Sequence, residues 1–284
     1  MNGVSPNRLA SAPMIEATER FPCPARFEPA LIVQWHRVLF LHFEVEPAIV
    51  QAHLPMPFEL ALYNHRAIVS LVALTKRRFR PVASAPWWAR LLPLIPEQRL
   101  FNVRTYVLHR GEPGAFFFWG WLSRPWGLPL PDRALGLTCA FARLRYEHQH
   151  ESGELRGVVG KGTDGQRFAY EARMERPVAF APCPAGSLAE FALERCTAYF
   201  WHRGMGRVFR AWHPPWLQAT VQVRITDNSL VTAAFPWLRD ACFVEANYTT
   251  GFAEVRIGRP LPVDNPVRGR RIRHHGASAF FELP

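Results

Sequence analysis

The chain has 284 residues, of which 49% are hydrophobic and 20% charged, and its mean hydropathy of -0.09 excludes both a disordered and a membrane-embedded chain. A formal net charge of +11 raises a polyanion or membrane-surface partner, but the only lysines are Lys76 and Lys161, and such an arginine bias can reflect genome composition. No segment approaches the roughly 20 apolar residues of a membrane helix, and residues 1–20 lack a basic start followed by an apolar stretch, so the expected location is cytoplasmic.

Residues 1–30 are rich in Pro, Ala and Arg without a sustained period, and read as a flexible leader. Strict alternation predicts a first strand over Arg37–Val45. Pro47 suits the first turn of a short helix through about His53, which Pro55 and Pro57 terminate. Phe58–Tyr63, a turn at Asn64-His65 and Ala67–Leu74 read as a hairpin. Residues 77–97 form a long loop dense in Pro and Trp, expected as a lid or pocket wall. Strands follow over Arg99–Leu108 and Ala115–Leu122, joined by a turn at Gly111-Glu112-Pro113-Gly114, and residues 116–122 are apolar on both faces. Asp132 can cap a short helix through Thr138.

Three more strands, Phe141–His148, Glu154–Gly160 and Gln166–Met174, are separated by turns at Ser152-Gly153 and Asp164-Gly165. Ser187 and Glu190 form a capping box for a helix to about Arg195. Strands near Thr197–Trp201, Arg207–Trp212, Gln218–Thr226 and Ala241–Ala246 complete the pattern. Roughly ten strands with three short helices predict a mainly β protein, a barrel or sandwich, not a parallel βαβ fold.

Five cysteines without a CxxC pair or regular spacing predict reduced, mostly buried thiols rather than a disulfide framework or zinc site. The histidines show no HExxH spacing, so no metal and no cofactor is expected. The basic block Arg268–His275 reads as a solvated tail. The chain has no helix-turn-helix, RNP or zinc-finger pattern, and nucleic acid is therefore disfavoured as a partner.

Candidate chemistry lies in two places. In Phe101–Val107 the period of two puts Asn102, Arg104 and Tyr106 on the face opposite Phe101, Val103, Thr105 and Val107. If that polar face lines a pocket, Arg104 offers a planar, permanently charged fork for a carboxylate or carbonyl oxygen. A structural polar network is the alternative. The second place is Trp212-His213-Pro214-Pro215-Trp216, close after Tyr199, where His213 is a candidate acid, base or donor. There the alternative is a rigid corner in which a backbone group satisfies His213. The candidate catalytic residues are therefore Arg104, Tyr106 and His213, and the candidate ligand contacts are Asn102, Arg104, Tyr106, Tyr199, His213 and Trp216.

The run from Trp35 through Phe58, then FNVRTYV, the Gly-Glu-Pro-Gly segment, SLAEFALERCTAYFW and AWHPPW together resemble the YqjF-like family of uncharacterised proteins. The resemblance covers about residues 31–263, leaving 264–284 as the basic tail. That family is similar to the acetoacetate-decarboxylase-like superfamily, which implies a closed, antiparallel, cone-shaped barrel with an internal pocket. Acetoacetate decarboxylases form a Schiff base through a lysine made nucleophilic by a lowered pKa. The matching stretch here is Gly136–Ala140, with Cys139 and Ala140 at the lysine positions. Lys161 sits in a glycine-rich turn and Lys76 is expected at a strand end, where a wet ammonium keeps a high pKa. Three functions stay open: an enzyme that uses the pocket without a Schiff base, a non-catalytic small-molecule binder, and a polyanion or membrane-surface binder. The residues do not decide whether the chain forms a homo-oligomer.

Overall fold

The computed structural model describes residues 29–82, 97–123, 139–160, 165–202 and 204–263. The elements run β1 (Pro29–Val45), α1 (Pro47–Ala52), β2 (Glu59–Leu60), β3 (Leu62–Tyr63), β4 (Arg66–Pro81), β5 (Glu97–His109) and β6 (Glu112–Leu122). Next come β7 (Cys139–Phe141), β8 (Arg143–Gln149), β9 (Glu154–Gly160), β10 (Arg167–Arg173), β11 (Ala181–Pro182) and α2 (Leu188–Leu193). The last are β12 (Thr197–His202), β13 (Met205–Trp212), β14 (Leu217–Thr220), β15 (Gln222–Asp227), α3 (Ser229–Ala234), β16 (Cys242–Gly258) and β17 (Leu261–Pro262).

The fold is mainly β. A 13-stranded sheet follows the order β11-β14-β16-β1-β4-β5-β6-β12-β13-β17, and β13 also pairs with β16, so its hydrogen bonding returns on itself. A second, four-stranded sheet has the order β15-β10-β9-β8. Most pairings are antiparallel, and β6 also runs parallel to β12 and to β7. Period-two alternation sorts the core. Leu39, Leu41, Leu71, Ala73, Phe101 and Val103 pack against the small sheet's Leu144, Leu155, Val159 and Phe168. Their neighbours Val38, Phe40, Ile68, Val72, Leu74, Leu100 and Tyr106 face the other way, towards α2 and Trp216.

Several expectations are corrected. β1 begins at Pro29, inside the presumed leader. Phe58–Tyr63 is not one strand: β2 pairs with β5 and β3 with β4. The hairpin turn is Arg110-Gly111, both in the left-handed region (φ 52° and 78°), and His109 faces Glu112. Those angles match a two-residue primed turn, so Glu112, Pro113 and Gly114 already belong to β6. Gln218–Thr226 divides at Val221 into strands of different sheets, and the strand expected at Ala241–Ala246 continues to Gly258. The capping box holds in part, since Ser187 Oγ accepts from Glu190 N while Glu190 Oε2 accepts from Gly186 N. Cys196 is disulfide-bonded, against the expectation of reduced thiols throughout. Residues 83–96 of the expected lid, the Asp132–Thr138 helix, Lys161 and the 264–284 tail lie outside the described residues.

Candidate functional site

Strand register brings one set of polar side chains together on the α2 face. Asn102 lies opposite Val72 and Arg104 opposite Ser70 on β4. On β1, His42 lies opposite Ser70 and also opposite Glu245 of β16. Residues directly opposite share a face, so Arg104, Ser70 and His42 project to one side with Tyr106, two residues from Arg104. The contacts follow that placement. Tyr106 Oη is 2.6 Å from Ser70 Oγ, Ser70 Oγ is 2.7 Å from His42 Nδ1, and His42 Nε2 is 3.0 Å from Asn247 Oδ1.

The direction of this chain of hydrogen bonds is fixed from its far end. Asn247 Nδ2 lies 2.9 Å from Glu245 Oε1 and 2.9 Å from Gln218 Oε1. A carboxylate only accepts, so the Asn247 amide nitrogen faces Glu245 and its oxygen faces His42. His42 therefore donates from Nε2, accepts at Nδ1 from the Ser70 hydroxyl, and leaves Ser70 to accept from the Tyr106 hydroxyl. Burial lowers the His42 pKa to about 3, with the Arg104 charge adding to the shift, which keeps the imidazole neutral. Tyr106, Ser70, His42 and Asn247 are completely buried.

Arg104 is different because it keeps part of its surface accessible. Its Nη2 donates to Ala192 O at 2.9 Å and, at 3.5 Å, to Tyr106 Oη. Its guanidinium lies over the rings of Phe40 (5.1 Å), Tyr106 (5.6 Å) and Phe117 (5.9 Å). Cation–π contact of this kind stabilises the charge by about 0.5–2 kcal/mol per ring but supplies no counter-ion. Arg104 forms no ion pair with a described residue, and its buried Nε has no hydrogen-bond partner. Arg195 also lies nearby, over Phe191 at 4.6 Å and Tyr106 at 5.9 Å. Burial lowers its pKa to about 10. Asn102 is buried with Oδ1 unpartnered.

The second group is only partly joined to the first. His213 is buried and its Nδ1 donates to Pro214 O at 2.8 Å. Its ring packs on Trp35, Trp216 and Phe252. Burial lowers its pKa to about 4, and Arg104 pushes it the same way. Trp216 is buried, with Nε1 donating to Leu193 O, and meets Phe40 edge-on at 5.5 Å. Tyr199 is not brought to Arg104. It sits in a separate cluster with Phe58, and its hydroxyl points to Glu112 O.

Lys76 requires a correction. It lies inside β4, opposite Trp35 on one side and Gln98 on the other, two residues from Leu74 of the α2 face. Burial lowers its pKa, so it is not the wet strand-end cation expected. Its row is six residues along β4 from Ser70, about 20 Å from the Arg104 row. His42, Ser70, Asn247 and Arg195 were not expected as site residues. The one sequence signal was His42, a polar residue in an otherwise apolar stretch of β1. Among the described residues no group of three or more His, Cys, Asp or Glu could hold a metal. No helix among them is long and apolar enough to cross a membrane.

The family DUF2071, described as an uncharacterized conserved protein, matches residues 33–243. The chain is similar to the uncharacterized protein YqjF of Bacillus subtilis (strain 168), with 31% identity over 209 residues, 70% of this chain and 79% of that protein. Among solved structures it is similar to acetoacetate decarboxylase of Legionella pneumophila (TM-score 0.59, 13% identity, 93% of this chain and 99% of that one). It is also similar to the enduracididine biosynthesis enzyme MppR complexed with pyruvate (TM-score 0.55, 13% identity, 85% and 93%). At these identities the structural likeness shows the fold alone.

Proposed function

The chain belongs to the DUF2071 family of uncharacterized conserved proteins, and we propose that it binds a small carboxylate- or carbonyl-bearing molecule at Arg104. In this reading the ring of paired strands is the closed, cone-shaped barrel that the resemblance implies, and the α2 face is its interior. The observation that carries the proposal is Arg104 itself. It is a permanently charged, part-buried guanidinium held by rings and a backbone carbonyl, with no carboxylate of a described residue paired to it. Placing such a charge in a low-dielectric site without an acceptor is costly. A ligand oxygen supplies that acceptor, and the planar fork suits a carboxylate or a polarised carbonyl. Pyruvate carries both groups and is bound by the fold neighbour MppR, so it is the probe of choice.

The buried Tyr106–Ser70–His42–Asn247 chain holds Tyr106 in place beneath the guanidinium rather than presenting it to a ligand. His213, bonded through Nδ1 to Pro214 O and kept neutral by burial, is a weak base. The geometry therefore favours a binding protein over a proton-transfer enzyme. Titration calorimetry with pyruvate tests the proposal: Arg104→Ala should weaken binding by about 2–5 kcal/mol, the range for breaking a buried charged pair, while the melting temperature changes little. Unchanged affinity would refute it. Incubation of pyruvate with the protein in deuterated water separates the two functions, because the binding reading predicts no catalysed exchange of the methyl protons. Cytoplasmic location and a lack of nucleic-acid binding belong to the same proposal.

A further inference from the structure

A second feature lies away from the Arg104 face, where the start of β5 meets the edge strand β8 of the small sheet. A cleft of about 350 Å³ is lined there by Glu97, Arg99, Ser123, Arg143, Leu144 and Arg145. Arg99 is fixed as its floor: Nη1 donates to Leu144 O at 2.9 Å and Nη2 pairs with Glu97 Oε1 at 2.9 Å. Glu97 is also held by Arg77, through Nε at 2.8 Å and Nη2 at 2.5 Å. Burial alone would raise the Glu97 pKa, but the hydrogen bonds and charge of Arg77 and Arg99 bring it below the usual carboxylate range. The carboxylate is thus ionised and already occupied on both oxygens.

Arg143 and Arg145 are two residues apart on β8 and exposed, so they point from the same side of the strand. Neither forms an ion pair with a described residue. Three other exposed arginines of the small sheet do: Arg167 with Asp227, Arg173 with Glu154 and Arg224 with Glu171. Arg156 on β9 forms no ion pair with a described residue either, but it lies opposite Glu147 and Glu171, whereas Arg143 and Arg145 lie opposite Gly160 and Val158. Three guanidiniums against one carboxylate give the lining a net charge of +2, and the Ser123 hydroxyl, which accepts from Arg99 N at 3.0 Å, keeps its proton to donate.

We propose that this cleft is an anion site for a small phosphomonoester, separate from the Arg104 site. A phosphomonoester carries about −1.5 to −2 charge near neutral pH and three strong acceptor oxygens, which matches the lining charge better than a monocarboxylate does. Guanidinium forks pair with phosphate oxygens two at a time. The volume is at the low end for small-molecule sites, leaving room for a short organic group beyond the phosphate.

The test is calorimetric titration of the full chain with sn-glycerol 3-phosphate at low ionic strength. We expect one binding event, weakened about tenfold or more in the double variant Arg143→Gln/Arg145→Gln, which removes the two charge-assisted partners. The double variant Arg173→Gln/Arg224→Gln should bind as the parent does. No binding, or equal loss in both double variants, would overturn the site. Sulfate binding as tightly as glycerol 3-phosphate would overturn the phosphomonoester assignment. A 5′-phosphorylated oligonucleotide binding about tenfold tighter than glycerol 3-phosphate would show a nucleic-acid surface instead.

Discussion

Arg104 and His42 show what a single residue discloses and what it hides. Period-two alternation in Phe101–Val107 is local, so the common face of Asn102, Arg104 and Tyr106 was legible from the residues alone. The support beneath them was not, because His42 bonds Ser70 across 28 positions and Asn247 across 205. Only strand register brings such residues together. Removing the middle of that chain should be costly: Ser70→Ala leaves the Tyr106 O–H proton and His42 Nδ1 buried without partners, which predicts about 2–4 kcal/mol of destabilisation by denaturant unfolding. A loss under 1 kcal/mol would mean that water replaces the serine hydroxyl. The buried histidines also set a pH response. His42, His148 and His213 have pKa values lowered to about 3, 3 and 4 from 6.5, with burial the main cause. The unfolded chain therefore binds more protons than the folded one below pH 6.5. The stability these residues contribute is fully present above that value and is lost as the pH falls towards 4 and then 3. Each adds a slope of up to about 1.4 kcal/mol per pH unit in that window. Melting temperatures across pH 4–8 should fall on the acid side, and His42→Gln should flatten the profile; a flat profile in the parent protein would contradict the assigned neutrality.

At the scale of the element, most strands were found by alternation, but their ends and partners were decided by geometry that the residues do not advertise. The Gly-Glu-Pro-Gly segment looks like a turn by composition, yet the chain reverses one step earlier, at Arg110-Gly111. This lets Gly114 enter β6 where the parallel neighbour β12 approaches. A Cβ on Gly114 would lie 2.5 Å from Tyr199 Cε2 and 2.7 Å from Thr197 O. At Gly111 nothing stands within 4 Å of a Cβ, but φ is +78°. Gly114→Ala should therefore destabilise by about 1–3 kcal/mol through overpacking, and Gly111→Ala by about 1 kcal/mol through backbone strain. Thermal unfolding in which Gly111→Ala is the more damaging of the two would place the tight approach elsewhere. The length of β16 escaped because the stretch from Ala246 to Gly251 mixes Asn, Thr and Gly, yet it is half-enclosed between β1 and β14. The division at Val221 escaped because Gln218–Thr226 alternates throughout and carries no local mark of a change of sheet.

For the whole molecule, fold class was legible from the density of short alternating segments, and the resemblance supplied the acetoacetate-decarboxylase-like form that the structural likeness bears out. The parallel pairings of β6 and the position of Lys76 were not legible, since both depend on which distant strands meet. Lys76 matters most here, because burial lowers its pKa and a depressed amine is a potential nucleophile. Its row is about 20 Å from that of Arg104 by strand rise, and the resemblance implies Cys139 and Ala140 at the lysine positions of acetoacetate decarboxylases. The protein should therefore not decarboxylate acetoacetate, and borohydride reduction in its presence should leave the mass unchanged; one equivalent trapped on Lys76 would show that the amine reaches a bound carbonyl. The central claim, that Arg104 awaits a ligand oxygen, is tested most directly by a high-resolution crystal structure of the protein soaked in pyruvate. The account predicts a pyruvate oxygen within hydrogen-bonding distance of the Arg104 guanidinium, with the bond to Ala192 O retained. A guanidinium closed off by a protein carboxylate, or pyruvate bound elsewhere with Arg104 unoccupied, would contradict it.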